Sequence, residues 1–78
     1  MSAQEMFEEL GYIIDINCLG IIRYSREDND GMKYCIRFYN DVKEFDCNTV
    51  INNKLDCLTI DISLLQAINK QIEELGWK

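Results

Sequence analysis

Apolar residues recur at two different periods along the chain, and the change of period divides it into three parts. Near both ends they repeat every three or four positions, as on one face of a helix: Ala3, Met6, Phe7 and Leu10 at the start, and Leu65, Ile68, Ile72 and Leu75 at the finish. Between these segments apolar and polar residues alternate, which is typical of antiparallel strands with one face toward a core.

Both predicted helices carry start signals. Ser2 is followed three residues later by Glu5, the spacing of a capping box, in which each residue bonds the other's backbone N–H. Ser63 and Gln66 repeat this spacing before the second helix, with Asp61 as a rival cap just upstream. On the second helix, Asn69, Lys70, Gln71, Glu73 and Glu74 form the polar side.

The two helices also end alike. Residues 8–12 read Glu-Glu-Leu-Gly-Tyr, and residues 73–77 read Glu-Glu-Leu-Gly-Trp. Glycine adopts the left-handed conformation that ends a helix, and the aromatic residue can pack back on the last turn. We therefore predict a Schellman-type end at Gly11 and at Gly76.

The alternating segment predicts four strands that share one apolar face. That face comprises Ile14, Ile16, Ile22, Tyr24, Tyr34, Ile36, Phe38, Phe45 and Cys47. A three-residue hairpin, Cys18-Leu19-Gly20, would pair Ile16 with Ile22 and Asp15 with Arg23.

A two-residue turn at Asn40-Asp41 would pair Ile36 with Phe45, Tyr34 with Cys47 and Arg37 with Glu44. Further on, Asn52-Asn53 marks a turn, and residues 58–60 could add a fifth strand.

These elements predict one α+β domain over residues 1–78: an N-terminal helix, a four- to five-stranded antiparallel meander and a C-terminal helix. Both helices should lie on the apolar face of the sheet, since each must bury its stripe. A chain of 78 residues has no room for a second core. Three of the four cysteines fall at core positions, so we expect free, buried thiols rather than disulfides.

Composition bears on location and on nucleic-acid binding. The chain shows no apolar run long enough to span a membrane and no signal-peptide pattern. We therefore expect a cytoplasmic protein that does not associate with a membrane. Its 14 acids and 8 bases give a net charge of −6, which repels nucleic-acid phosphates.

Catalytic equipment is sparse. The chain has no histidine, the commonest general base and metal ligand. Asp15, Glu44 and Asp46 could approach one another on the polar face, but an open sheet offers no pocket to tune a catalytic pair. The loop over residues 27–31 resembles part of a calcium loop, yet arginines stand at the first and last ligand positions. We expect no enzyme activity, no metal and no cofactor.

Two groups of residues are candidates for binding a protein. Glu27, Asp28 and Asp30 form an acidic loop tip that could steer toward a basic groove. On the polar face, Arg23, Arg37 and Tyr39 are of the residue types that dominate interface energetics. The same arginines could instead form a solvated charge ladder with the neighbouring acids.

Both ends of the chain carry a resemblance. Residues 5–12 and 62–77, which contain the caps and stripes of the two helices, resemble small phage and prophage proteins of low-GC Gram-positive bacteria, a group whose function is unknown. Small acidic phage proteins often bind and modulate a host protein, including host defence nucleases. The resemblance thus implies a non-enzymatic protein that binds a host protein inside the host cell.

Two other roles remain open. The chain could bind a nucleotide or other small molecule, as a sponge or sensor whose pocket forms between two copies. It could also build a structural homo-oligomer. A homodimer is an expectation in its own right, because a small domain with unpaired edge strands buries little surface alone.

Overall fold

The structure, a computed structural model, describes residues 1–77. Its seven elements in chain order are α1 (Ala3–Glu9), β1 (Ile13–Cys18), β2 (Ile21–Glu27), β3 (Lys33–Tyr39), β4 (Glu44–Ile51), β5 (Lys54–Cys57) and α2 (Ile62–Glu74). The strands form one antiparallel sheet in the order β1-β2-β3-β4-β5. The predicted α+β fold, with a fifth strand, is confirmed.

The first helix begins as predicted, whereas the second does not. Ser2 and Glu5 form the complete capping box of α1. The cap of α2 is Asp61, whose Oδ1 accepts the backbone N–H of Leu64 at 2.8 Å, so the prediction of a Ser63 cap is wrong. Asp61 already satisfies the free N–H of the first turn, and the chain becomes helical at Ile62, ahead of Ser63.

The apolar stripe of α2 also differs from the prediction. Its buried residues are Leu64, Ala67, Ile68 and Gln71, while Leu65 is 42% exposed. Gln71, expected on the polar side, turns inward because its Oε1 accepts the hydroxyl of Tyr24 at 2.5 Å. That hydrogen bond satisfies two polar groups that burial would otherwise leave unpaired.

Both helices end in the predicted motif. Gly11 and Gly76 have φ of 91° and 73°, in the left-handed region. The N–H of Tyr12 donates to the carbonyl of Phe7, and the N–H of Trp77 donates to that of Ile72. These are the bonds that define a Schellman ending.

The first hairpin turns on two residues rather than three. Leu19 and Gly20 both have positive φ, and Cys18 pairs with Ile21. A β-bulge between Ile14 and Ile16 then changes the register, so that Ile16 lies opposite Arg23. Ile16 therefore belongs to the polar face, and its assignment to the core face is wrong, because the extra residue of a bulge reverses the side on which later residues lie.

The hairpin between β3 and β4 closes on four residues, 40–43, rather than two. Ile36 pairs with Cys47, Phe38 with Phe45 and Arg37 with Asp46, a shift of two positions from the predicted register. The predicted partners are wrong. A shift of two still preserves the face on which each side chain lies, since side chains alternate with a period of two.

The fifth strand lies earlier than residues 58–60, where we expected it. The predicted turn at Asn52-Asn53 is present, with φ of 51° and 64°, and β5 follows it at once. Val50 pairs with Leu55 in this hairpin. Residues 58–60 instead lead from β5 to the cap of α2.

The core lies between the two helices and one face of the sheet, as predicted. We call this the helix-covered face. Its fully buried cluster is Phe7, Tyr12, Tyr24, Ile36, Phe38, Leu64, Ala67 and Ile68. The rings of Phe7 and Tyr24 stack with centroids 3.9 Å apart. Phe45, also predicted for this face, reaches Phe38 but stays 40% exposed at the edge of the cluster.

The four cysteines are free, as expected, but only one is buried. Cys35 is buried and Cys47 is half-buried, whereas Cys18 and Cys57 are exposed. The prediction of three buried thiols is thus wrong, since Cys18 and Cys57 lie beside turns or on the edge strand β5. Within residues 1–77, no helix has the length and apolar character needed to cross a membrane.

Candidate functional site

The candidate site is the face of the sheet turned away from both helices, which we call the open face. Cross-strand pairing brings Arg23, Arg37, Asp46 and Tyr39 together there, along with the bulge residue Asp15. Two of the three residues predicted for this face are arginines, Arg23 and Arg37. They lie directly opposite each other on β2 and β3.

An acid flanks each end of this arginine pair, which gives the row Asp15–Arg23–Arg37–Asp46. We call these four residues the charge ladder. Arg23 donates from Nε and Nη2 to the two carboxylate oxygens of Asp15, at 2.8 and 2.9 Å. Arg37 Nη1 lies 3.7 Å from Asp46 Oδ1, a looser ion pair. The sequence-predicted contact of Asp15 with Arg23 is confirmed, but Arg37 pairs with Asp46 rather than Glu44.

Contacts within and beside the ladder shift the pKa values of Asp15, Arg23 and Tyr39. The hydrogen bond from Arg23 holds the pKa of Asp15 below its usual range, with a further hydrogen bond from the hydroxyl of Ser25 at 2.8 Å. The same pair raises the pKa of Arg23. Loss of hydration, followed by the hydrogen bond that its hydroxyl donates to Asp46 at 3.1 Å, raises the pKa of Tyr39. Asp15 and Arg23 are therefore both charged at neutral pH.

Beside the ladder runs a row of short side chains. Pairing aligns Ile13, Ser25, Cys35, Asn48 and Cys57 across the five strands. Ser25 and Cys35 are buried although no helix covers them, because longer side chains stand in the rows on either side. Asn48 Oδ1 is buried there without a hydrogen-bond partner among the described residues. The open face is thus a shallow trough rather than a flat surface.

At the β1 end the trough deepens into a groove of about 330 Å³. Ile13, 61% exposed, stands at its edge, and Asp15, Ser25, Glu27 and Lys33 line it. The groove therefore connects the charge ladder to the base of the acidic loop.

The three loop acids differ in what they do. Asp28 organises the loop: its Oδ1 accepts the N–H groups of Asp30 and Met32, and its Oδ2 accepts the hydroxyl of Tyr34. Loss of hydration alone would raise the pKa of Asp28, but these hydrogen bonds outweigh it and lower the pKa. Glu27 ends β2 opposite Lys33, and Asp30 lies exposed at the tip. Glu27 and Asp30 are thus the loop acids that lack this structural role.

The loop and the ladder are separate parts of the molecule. Arg37 stands four residues along β3 from Lys33, which corresponds to about 13 Å of strand. The structure thus brings the two predicted groups to one side of the molecule without merging them.

One polar cluster escaped the sequence reading. Arg26, which was not predicted for the core face, pairs with Tyr34 on the helix-covered face. Its guanidinium carbon lies 4.0 Å from the centroid of the Tyr34 ring and 5.4 Å from that of Tyr12. A signal was present, because Arg26 continues the alternation of Ile22 and Tyr24.

Among residues 1–77, the structure places no group of three or more histidine, cysteine or acidic side chains where they could hold a metal ion. Asp15 and Asp46 stand at opposite ends of the ladder, with two arginines between them. They do not form a carboxylate pair of the kind that acid–base catalysis uses.

Comparison with known proteins adds no relative: no protein-family model, no curated protein and no solved structure matches the chain.

Proposed function

We propose that this protein is a non-enzymatic binding module that receives the surface of another protein on its open face. The observation that carries the proposal is the placement of Arg23 opposite Arg37 on a sheet face that neither helix covers. Like charges directly opposite each other cost stability in a sheet. Such a local conflict is typical of a functional site, since the fold alone would not favour it.

The ladder prepares these arginines for binding. Asp15 and Ser25 hold Arg23 in place, and Asp46 lies between Arg37 and Tyr39. Side chains that are already ordered lose less conformational entropy when a partner arrives. Arginine and tyrosine are also the residues most often found at the energetic centre of protein interfaces.

Apolar side chains complete the surface. Ile13 and Leu55 stand exposed at its two edges, and Val50 lies half-buried opposite Leu55. An interface of this kind, with apolar contacts around arginine and tyrosine, resembles the composition of known protein–protein interfaces. The buried Oδ1 of Asn48 offers an acceptor that a donor from the partner could satisfy.

The partner we propose is a host protein with a basic surface. The chain carries a net charge of −6, and Glu27 and Asp30 extend that charge to the loop beside the groove. An acidic body of this kind speeds association with a basic partner and makes the rate depend on salt. The resemblance to phage proteins supports a host target, and a host defence nuclease, with its basic groove, fits this charge.

The test is capture from a Gram-positive host lysate with three forms of the chain. The double variant R37A/Y39A removes the side chains of Arg37 and Tyr39 from the open face, and E8Q/E9Q neutralises two acids on the outer side of α1 as the matched control. The proposal expects a stoichiometric protein that the parent and the control retain and that R37A/Y39A loses. Equal recovery by all three forms, or no stoichiometric partner from growing and phage-challenged cells, would overturn it.

A second variant tests the acidic loop. E27Q/D30N neutralises the loop while keeping Asp28, because removing Asp28 would unfold the loop it organises. We expect slower association and a weaker salt dependence, with dissociation unchanged, when binding to the captured partner is followed by surface plasmon resonance. An association rate equal to that of E8Q/E9Q would rule out a steering role for the loop.

A further inference from the structure

Arg26, on the helix-covered side of the sheet, differs from Arg23 and Arg37 in its ion pairing. Arg23 and Arg37 each form an ion pair with an acid, whereas the structure gives Arg26 no ion pair within residues 1–77. Its Nε is buried and has no hydrogen-bond partner among residues 1–77. A guanidinium N–H is a strong donor that nearly always finds an acceptor when it is shielded from water. The Nε–H group is therefore available to an acceptor from a bound ligand.

The surroundings hold Arg26 firmly in place. The rings of Tyr12 and Tyr34 contact its guanidinium through cation–π interactions. Gly11 leaves room for its stem, since a Cβ at that position would lie 3.0 Å from Arg26 Cδ. Gly11 therefore has two roles: it ends α1, and its missing side chain leaves space for the side chain of Arg26.

A cavity of about 150 Å³ opens beside this group. One side of the cavity is formed by Tyr12, Arg26 and Tyr34. The rest of the lining comes from three leucines, Leu10, Leu58 and Leu64, and from Thr59 and Asp61. A cavity of this size takes a guest no larger than benzene. The combination of one guanidinium with aromatic and aliphatic walls suits an anionic head on a short apolar stem.

Two neighbouring acids limit the charge of that guest. Asp61 lines the cavity while it caps α2, and Asp28 accepts the hydroxyl of Tyr34. Both would repel a doubly charged phosphate more strongly than a singly charged carboxylate. We propose that the Arg26 cavity, on the helix-covered side, is a second binding site that accepts one carboxylate on a short apolar stem. The carboxylate could belong to a free small acid or to an acidic side chain of a bound peptide.

The test follows the Nε–Hε resonance of Arg26 by NMR in ¹⁵N-labelled protein, with that of Arg23 on the open face as the internal reference. The protein is titrated with propionate and with glutamate capped at both ends. Propionamide and doubly capped glutamine serve as uncharged controls of the same shape. We expect a saturable shift of the Arg26 resonance with a carboxylate and none with the amides, while the Arg23 resonance stays in place.

The ligand that shifts the Arg26 resonance shows whether the carboxylate comes from a free small acid or from a peptide. A response to propionate alone assigns the cavity to free small acids, and tighter binding of the capped glutamate assigns it to an acidic side chain. No response to either carboxylate, equal shifts with the amides, or tighter binding of inorganic phosphate would each overturn the proposal.

Variants provide an independent check. R26Q should weaken carboxylate binding at least tenfold, as read from the backbone amides of Tyr12 and Thr59. R37Q, which removes the same charge on the opposite face, should leave binding unchanged. Equal affinity of R26Q and R37Q would contradict the proposal, and if R26Q does not fold, the ligand series on the parent protein decides alone.

Discussion

The two faces of the sheet accommodate polar groups in different ways. On the helix-covered face, the hydroxyl of Tyr24 and the amide of Gln71 form one buried hydrogen bond inside an aromatic cluster. On the open face, Arg23 and Arg37 lie side by side in partial contact with water, with an acid at each end. The comparison indicates that the helix-covered face supplies most of the stability and that the open face is free to serve binding.

The largest expected effect lies in the aromatic cluster. Phe7 is fully buried and contacts the rings of Tyr12, Tyr24 and Phe38. Replacing it with alanine should cost about 3–5 kcal/mol of unfolding free energy, because the change removes burial and leaves a cavity. A domain of this size has about 4–12 kcal/mol in total, so F7A should lose a large share of its stability.

Urea denaturation followed by circular dichroism measures this loss. The matched control is F45A, at the exposed edge of the same cluster, for which we expect about 1 kcal/mol because less area is buried. Equal losses for the two variants would contradict the central position that the structure gives to Phe7.

The next effect concerns the buried hydrogen bond. Y24F removes the hydroxyl and leaves the Oε1 of Gln71 buried without its donor, which should cost about 1–3 kcal/mol. Adding Q71L, which removes the acceptor as well, should recover much of that loss. Urea denaturation of the two variants decides, and a double variant no more stable than Y24F would argue against the bond.

Raising the pH tests the environment of Tyr24 without replacing any side chain. Burial, and then the charges of Glu74 and Glu8, raises the pKa of Tyr24 to about 12. A pKa raised above its unfolded value contributes stability that is present below about pH 10 and is lost as pH rises toward 12. Tyr12, Tyr39 and Cys47 also have raised pKa values.

The parent should therefore lose more stability than Y24F between pH 9 and pH 12, and the difference isolates Tyr24. Unfolding curves of both proteins across this range provide the measurement. Parallel losses would show that Tyr24 is not shielded from water as the structure has it.

On the open face we expect a smaller effect. The side chains of Arg23 and Asp15 are each 22% exposed, so water screens much of their attraction. A double-mutant cycle of R23A and D15A should give a coupling of roughly 0.2–1 kcal/mol at pH 7. Because the pKa of Asp15 is lowered, the coupling should persist above about pH 4 and disappear as pH falls through the lowered pKa. A coupling unchanged at pH 2 would contradict the ion pair.

The last effect, a gain in stability, lies at a turn that belongs to neither face. Leu19 has a φ of 53° and is 97% exposed in the first hairpin turn, a conformation that suits asparagine better than leucine. L19N should stabilise the protein by about 0.5–1 kcal/mol, measured as a rise in the urea midpoint. It would also provide a more stable background for the other variants, whereas a lower midpoint would show that Leu19 makes a contact absent from this structure.

Alternation along the strands predicted the faces better than the pairing. The shift of two positions between β3 and β4 left Ile36 and Phe38 on the expected side, because only turn length had been misjudged. The bulge at Asp15 had a larger effect. It moved Ile16 to the open face, and a single extra residue leaves no mark in the alternation.

Polar residues were harder to place than apolar ones. Gln71 was predicted for the polar side of α2 and Arg26 was not predicted for the core face, yet both lie on the helix-covered side of the sheet. Their partners, Tyr24 for one and the rings of Tyr12 and Tyr34 for the other, are distant in sequence. Only the tertiary structure shows that these partners lie next to Gln71 and Arg26. Arg23, Arg37 and Tyr39 were placed correctly, because alternation alone decides their face.

The most direct test of this division compares one variant from each face. R37A/Y39A and Y24F are used at equal concentrations of folded protein, and the amount of host protein that each captures from the lysate is compared with the parent by quantitative mass spectrometry. The account predicts that R37A/Y39A stays within about 1 kcal/mol of the parent in stability yet captures at least tenfold less partner. Y24F should be less stable and capture as much as the parent. The reverse pattern, with capture lost in Y24F and kept in R37A/Y39A, would contradict the assignment of binding to the open face.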